Sequence, residues 1–155
     1  DGQVVAGCVC NPAADEVFHA VRGDGAFLGE RRLRGPRRVA LDRAVVGTGF
    51  AYDRARRARQ AAVVAALLPR VADIRRAGAA SLDLVALAAG RIDAYYEVGL
   101  HPWDWAAGVL IAQEAGCVLT GPAGGAPGPE LTAGAGPELA GEFFRLLDEL
   151  AATHV

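Results

Sequence analysis

The sequence contains no methionine and no lysine. Without methionine there is no initiator residue, and the expectation is that these 155 residues are not a whole translation product. Without lysine, all 16 basic residues are arginine, as in the codon bias of a GC-rich genome. The lack also excludes Schiff-base chemistry and a P-loop lysine here. Cysteine is scarce: Cys8, Cys10 and Cys117 make an odd count with no framework spacing. That pattern reads as reduced, buried thiols in a cytoplasmic protein. Cys8 and Cys10 stand two apart on an expected strand, so they share a face, and packing in the core is the favoured reading. No apolar run approaches the ~20 residues that span a bilayer, and no charged-then-apolar leader opens the chain. A formal net charge of −2 calls for neither nucleic acid nor an anionic membrane surface.

Several catalytic patterns are missing too. There is no Ser/His/Asp or Cys/His set and no Gly-rich phosphate loop of the Walker or dinucleotide type. Gly47-Thr48-Gly49 follows an expected strand but lacks a third glycine at the required spacing. His19 and His154 have no clustered partners.

What is present is an apolar fraction of 52% in a length that suits one sizeable core. Asp1-Gly2 is a hairpin-turn dipeptide, and it predicts a partner strand before residue 1. Strands are expected at Gln3–Asn11, Glu16–Arg22 and Ala26–Leu33, the last with a tight turn at Gly29-Glu30, all as antiparallel hairpins. An Arg-rich linker, Arg31–Arg38, follows. From Ala44 strands alternate with helices, which argues for a layered α/β arrangement. Strands are expected at Val45–Gly49, Val71–Arg76, Ile92–Val98, Cys117–Thr120 and Leu131–Ala135. The first helix is capped by Asp53, stops at Pro69, and is expected to bury Ala58, Ala61, Ala65 and Leu68. Helices at Ala80–Ala89 and Asp104–Ala115 are closed by Gly90 and Gly116. Both are apolar nearly all round and so are expected between layers. A final helix opens at Pro137 and carries Leu139, Phe143, Leu146, Leu147 and Leu150. The division expected is residues 1–43, the end of an α+β unit, and residues 44–155, an α/β unit.

The chemistry concentrates in residues 93–108, where strand passes through a short turn into helix. Asp104 has two readings: an oxygen ligand for a hard cation such as Mg²⁺, or a helix cap, which spacing alone favours. Trp103 and Trp105 flank it and are expected to shield it, which would make an unpaired charge costly. Glu97 reads as an acceptor for substrate hydroxyls or as an exposed strand end. Tyr95 lies on the same face of that strand. Gly78-Ala79-Ala80 also joins strand to helix, so its amides can face an anion; close packing in the turn is the other reading of the glycine, and the two are compatible. If the strands are parallel, these residues meet at one carboxyl edge, where open α/β sheets place ligands. His101 could bind metal or move a proton; a solvated turn residue is the favoured reading.

Trp103-Asp104-Trp105-Ala106-Ala107-Gly108, followed by Glu114-Ala115-Gly116, resembles a signature of the inositol monophosphatase family. Gly7 through Asn11-Pro12, Gly23–Phe27, Arg75 through Ala80, Leu82-Asp83-Leu84 and Ala89–Glu97 support the likeness, which extends over essentially the whole chain. The resemblance implies the C-terminal part of a layered α-β-α-β-α sugar-phosphatase fold. It implies a Mg²⁺-dependent, lithium-sensitive phosphoric monoester hydrolase acting on a small phosphorylated polyol, and a homodimer. It makes Asp104 a metal ligand, Glu97 a contact to an inositol hydroxyl, and Gly78, Ala79 and Ala80 the lining of the substrate pocket. The family's Asp-Pro-x-Asp-Gly-Thr loop and upstream metal-binding Glu are absent, so the chain alone is expected to be inactive. Related activities on fructose 1,6-bisphosphate or histidinol phosphate, or a non-catalytic binding or dimerisation module, are the alternatives.

Overall fold

The structure is a computed structural model that describes residues 2–154. The expected turn at Asp1-Gly2 therefore has its first residue outside the described part. The first four strands, β1 (Ala6–Asn11), β2 (Glu16–Val21), β3 (Gly25–Leu28) and β4 (Arg31–Arg32), form an antiparallel sheet in sequence order. The remaining strands are β5 (Val45–Thr48), β6 (Asp73–Arg75), β7 (Ala94–Glu97), β8 (Val118–Thr120) and β9 (Thr132–Ala135). They form a second sheet in the order β6-β5-β7-β9-β8. β6, β5 and β7 are parallel, whereas β9 runs antiparallel to both its neighbours.

Four helices separate and cover these sheets: α1 (Arg54–Leu67), α2 (Ala80–Ala88), α3 (Pro102–Glu114) and α4 (Pro137–Glu149). α2 and α3 lie between the sheets. Leu84, Leu87, Leu110 and Ile111 pack with Phe18 and Ala26 of the first sheet and Tyr95 of the second. Their nearly all-round apolar composition has this cause, as expected of helices packed between two layers. On the other side of the second sheet, Val46, Tyr96 and Ala133 pack against Val63 and Leu67 of α1 and Phe143 and Leu147 of α4. The layers are thus β-α-β-α, a mixed α/β architecture. Among the described residues no helix covers the outer face of the first sheet.

Two contacts fasten the first sheet to the segments packed against it. Glu114, the last residue of α3, accepts the N–H groups of Gly23 and Gly25 at 3.0 Å each, holding the turn between β2 and β3. Arg91 forms a bidentate pair with Glu16 and lies over the ring of Phe18, 5.5 Å from its centroid.

Three expectations need correction. Cys8 and Cys10 do share a face, but it is the solvent side, and both are exposed; the intervening Val9 is the buried residue. Cys117 alone is buried, which pushes its thiol up to about 12. α1 buries Gln60, Val63 and Leu67, not the set Ala58, Ala61, Ala65 and Leu68, all of which are exposed. Larger side chains and a bond from Ala51 N–H to Gln60 Oε1 at 2.8 Å decide the face. Finally, α3 begins at Pro102, so Asp104 is its third residue and His101 the cap position.

Candidate active site

The carboxyl ends of β5, β6 and β7 point to one edge of the second sheet because the three strands are parallel. The segments that leave them enclose a cavity of about 400 Å³. The residues that the family resemblance assigns reach it: Glu97 from the end of β7, Asp104 from the first turn of α3, and Gly78, Ala79 and Ala80 from the β6–α2 turn. Open α/β sheets bind ligands at this kind of edge.

Asp104 is half-buried and is held by its own helix. The His101 N–H donates to Asp104 Oδ2 at 2.9 Å, and Asp104 N–H returns a bond to the His101 carbonyl at 2.9 Å. Pro102 at the first helical position fits this start, since its missing N–H would have no intrahelical partner. His101 also lines the cavity, but its ring stacks on Trp103 at 4.6 Å between centroids. Trp103 is 77% exposed, so it does not provide the shielding expected for Asp104. Trp105 packs against the core between the sheets, with its indole Nε1 buried and unpartnered among the described residues.

Glu97 closes β7, and its carboxylate accepts the Tyr95 O–H at 2.8 Å. The shared face expected of residues 95 and 97 is what makes this bond. Burial pushes the Glu97 carboxyl above the usual range; the Tyr95 hydroxyl and the Arg76 charge pull it back, and Asp104 pushes it further up. Tyr95 is wholly buried, and burial together with Glu97 raises its phenol far enough to keep it a donor.

Gly78 adopts φ +93°, and a Cβ there would meet only Arg76 Nη1 at 3.5 Å. The glycine is therefore required by its left-handed backbone, not by close packing. It turns the chain so that Ala79 takes the cap position of α2 and Ala80 its first turn. The first amides of a helix have no intrahelical partner and suit an anion or a ligand oxygen.

Asp83 also lines the cavity, from within α2. It is only 3% exposed, and both its oxygens accept the Ala77 N–H at 3.3 Å. Burial pushes its carboxyl up to about 6; the Ala77 bond opposes this, Glu97 adds to it, and Arg76 opposes it. Its role escaped the sequence reading, though one acid in an otherwise apolar helix was a signal, because a buried charge needs partners. Arg56 and Arg76 line the same cavity and were equally unmarked, and Gly49, also on its lining, was read only as part of an incomplete glycine pattern. Among the described residues no three His, Cys, Asp or Glu side chains cluster closely enough to hold a metal ion. A hard cation uses one or two carboxylates with phosphate oxygens and water. Asp104 fits as one such ligand, not as a complete metal site.

The sequence matches the inositol monophosphatase family over residues 1–155. The chain belongs to this family. It is 50% identical over 135 residues to the inositol-1-monophosphatase of Mycobacterium leprae, covering 81% of this chain and 46% of that protein. It is 43% identical over 125 residues to the Nus factor SuhB of Vibrio cholerae, covering 80% of this chain and 47% of that protein. The solved structure of Mycobacterium tuberculosis SuhB superposes with a TM-score of 0.86 at 42% identity, covering 96% of this chain and 60% of that one. The chain thus spans about half the length of the curated relatives it matches. An inositol monophosphatase family fold accounts for the two sheets and the helix pair between them.

Proposed function

We propose that this chain supplies the substrate pocket and one metal ligand of a Mg²⁺-dependent phosphatase acting on inositol 1-phosphate or a similar phosphorylated polyol. The observation that carries the reading is the convergence of Glu97, Asp104 and the α2 N-terminus on one cavity, in a chain of this family. Glu97 accepts a hydroxyl of the polyol, and the Tyr95 bond limits where it can stand. The first amides of α2 face oxygens of the substrate. Asp104 would hold Mg²⁺, which when bound activates water and stabilises the charge on the leaving oxygen. The His101 N–H orients Asp104 for that purpose by fixing Oδ2.

With one ligand on these residues, the 155-residue chain alone is expected to show no turnover. The test uses the gene product at its full encoded length. It is screened on inositol 1-phosphate, fructose 1,6-bisphosphate and histidinol phosphate, with and without Mg²⁺ and Li⁺. Mg²⁺-dependent, Li⁺-inhibited release of phosphate from inositol 1-phosphate, abolished by Asp104→Ala, is expected. Unchanged release from that variant, or none from the wild type, would sink the reading. We further propose a homodimer, which sedimentation of the same protein checks.

The name of the Vibrio cholerae relative supports a second reading, a Nus-factor role that needs no hydrolysis. If Asp104→Ala abolishes phosphate release yet leaves the cellular role of the gene intact, that reading prevails.

A further inference from the structure

A glutamate side chain has several rotatable bonds, and fixing them when a ligand binds costs affinity. Glu97 is constrained before any ligand arrives. On one side the Tyr95 O–H donates to its Oε2 at 2.8 Å, from a ring that is wholly buried and cannot swing away. On the other side lies the bare backbone of Gly49, just beyond the end of β5. A Cβ at position 49 would fall on the carboxylate itself, meeting Oε1, Cδ and Oε2 of Glu97. Gly49 is not among the glycines of positive φ, so its backbone conformation is open to other residues. The missing side chain, not conformational freedom, is what the site uses.

We propose that Gly49 and Tyr95 are positioning residues that fix where the Glu97 carboxylate stands, and so determine which hydroxyl of a phosphorylated polyol the pocket accepts. The inference rests on the assignment of Glu97 to a substrate hydroxyl. Gly49 sets the place by leaving it empty; Tyr95 sets the orientation by occupying one lone pair. The carboxylate then offers its remaining acceptor capacity in one direction, which a freely rotating side chain would not.

The test compares the wild type, Gly49→Ala and Tyr95→Phe at full encoded length on two substrates. One is inositol 1-phosphate; the other is p-nitrophenyl phosphate, which has no ring hydroxyl for Glu97. A hydrogen bond to a charged group contributes about 1.5–3 kcal/mol, so its loss corresponds to roughly 10- to 100-fold in binding. Gly49→Ala is expected to raise KM for inositol 1-phosphate by about that factor while leaving p-nitrophenyl phosphate within about two-fold. Tyr95→Phe, which keeps the ring and loses only the donor, is expected to shift the same preference by a smaller factor. Equal losses on both substrates, or none on either, would overturn the proposal. A crystal structure of the Gly49→Ala protein gives a readout independent of activity. The carboxylate is expected off the residue 49 backbone with Asp104 and Ala80 unmoved; a carboxylate still in place refutes the positioning role. If the wild type hydrolyses neither ester, the phosphatase reading fails, and the crystal structure alone decides the placement.

Discussion

Asp83→Asn should make the protein more stable near neutral pH and leave it nearly unchanged in acid. Asp83 is 3% exposed, and its carboxyl is pushed from 3.8 up to about 6, chiefly by burial. The folded protein therefore holds this proton more tightly than the unfolded chain does. The stability that Asp83 contributes is fully present below about pH 4 and is lost as pH rises through about 6. At about 1.4 kcal/mol per tenfold change in proton affinity, the full loss is about 3 kcal/mol. Asp83 borders a cavity open to water and lies near the Arg76 charge, both of which soften the cost, so about 1–3 kcal/mol is expected. Asparagine keeps the shape and an oxygen for the Ala77 N–H, and it has no charge to bury. The assay is urea unfolding of both proteins at pH 4 and pH 8. The variant should gain about 1–3 kcal/mol at pH 8 and much less at pH 4. An equal difference at the two pH values, or a loss at pH 8, would refute the claim that the buried charge is the costly part.

Two further perturbations probe the layer between the sheets and the outer face. Gly108→Ala gains about 1 kcal/mol of helix propensity, but its Cβ would sit 2.7 Å from Leu84 Cβ and 2.9 Å from Leu84 Cδ1. Leu84 has no exposure and nowhere to go, and overpacking costs about 1–3 kcal/mol, so the urea midpoint should fall; an unchanged or higher midpoint contradicts the close α2–α3 crossing. Brief treatment of the folded 155-residue chain with iodoacetamide should label Cys8 and Cys10 but not Cys117, read by peptide mass; labelling at Cys117 before unfolding would contradict its burial and its raised thiol.

Much of the site was legible because it follows from short-range rules. Period-two alternation put Tyr95 and Glu97 on one face, and the bond between them follows. Gly90 and Gly116 mark the ends of α2 and α3 with φ of +69° and +92°, as left-handed helix stops. Asp53 caps α1 by accepting the Arg56 N–H at 2.7 Å. Other features depended on contrasts that the sequence does not contain. α1 is rich in alanine and arginine, so its apolar stripe is faint, and a buried glutamine competes with exposed alanines. Alternation told that Cys8 and Cys10 share a face but not which face, because Val9 and both cysteines are all apolar. Asp104 looked like a cap because aspartate favours that place; Pro102, which belongs at the first helical position, was the better marker. Gly49 stood out only as part of an incomplete glycine pattern, since the volume that its missing side chain leaves is filled by Glu97, from a strand nearly fifty residues away.

α3 carries Asp104 in its first turn and Glu114 as its last residue. Helices are stiff, and thirteen residues measure about 20 Å. One end therefore stands at the cavity while the other grips the β2–β3 turn through Gly23 and Gly25. The helix acts as a ruler between a surface hairpin and the predicted metal ligand. A substitution at Glu114 therefore removes the hold on the β2–β3 turn at the end of the helix that lies farthest from the cavity.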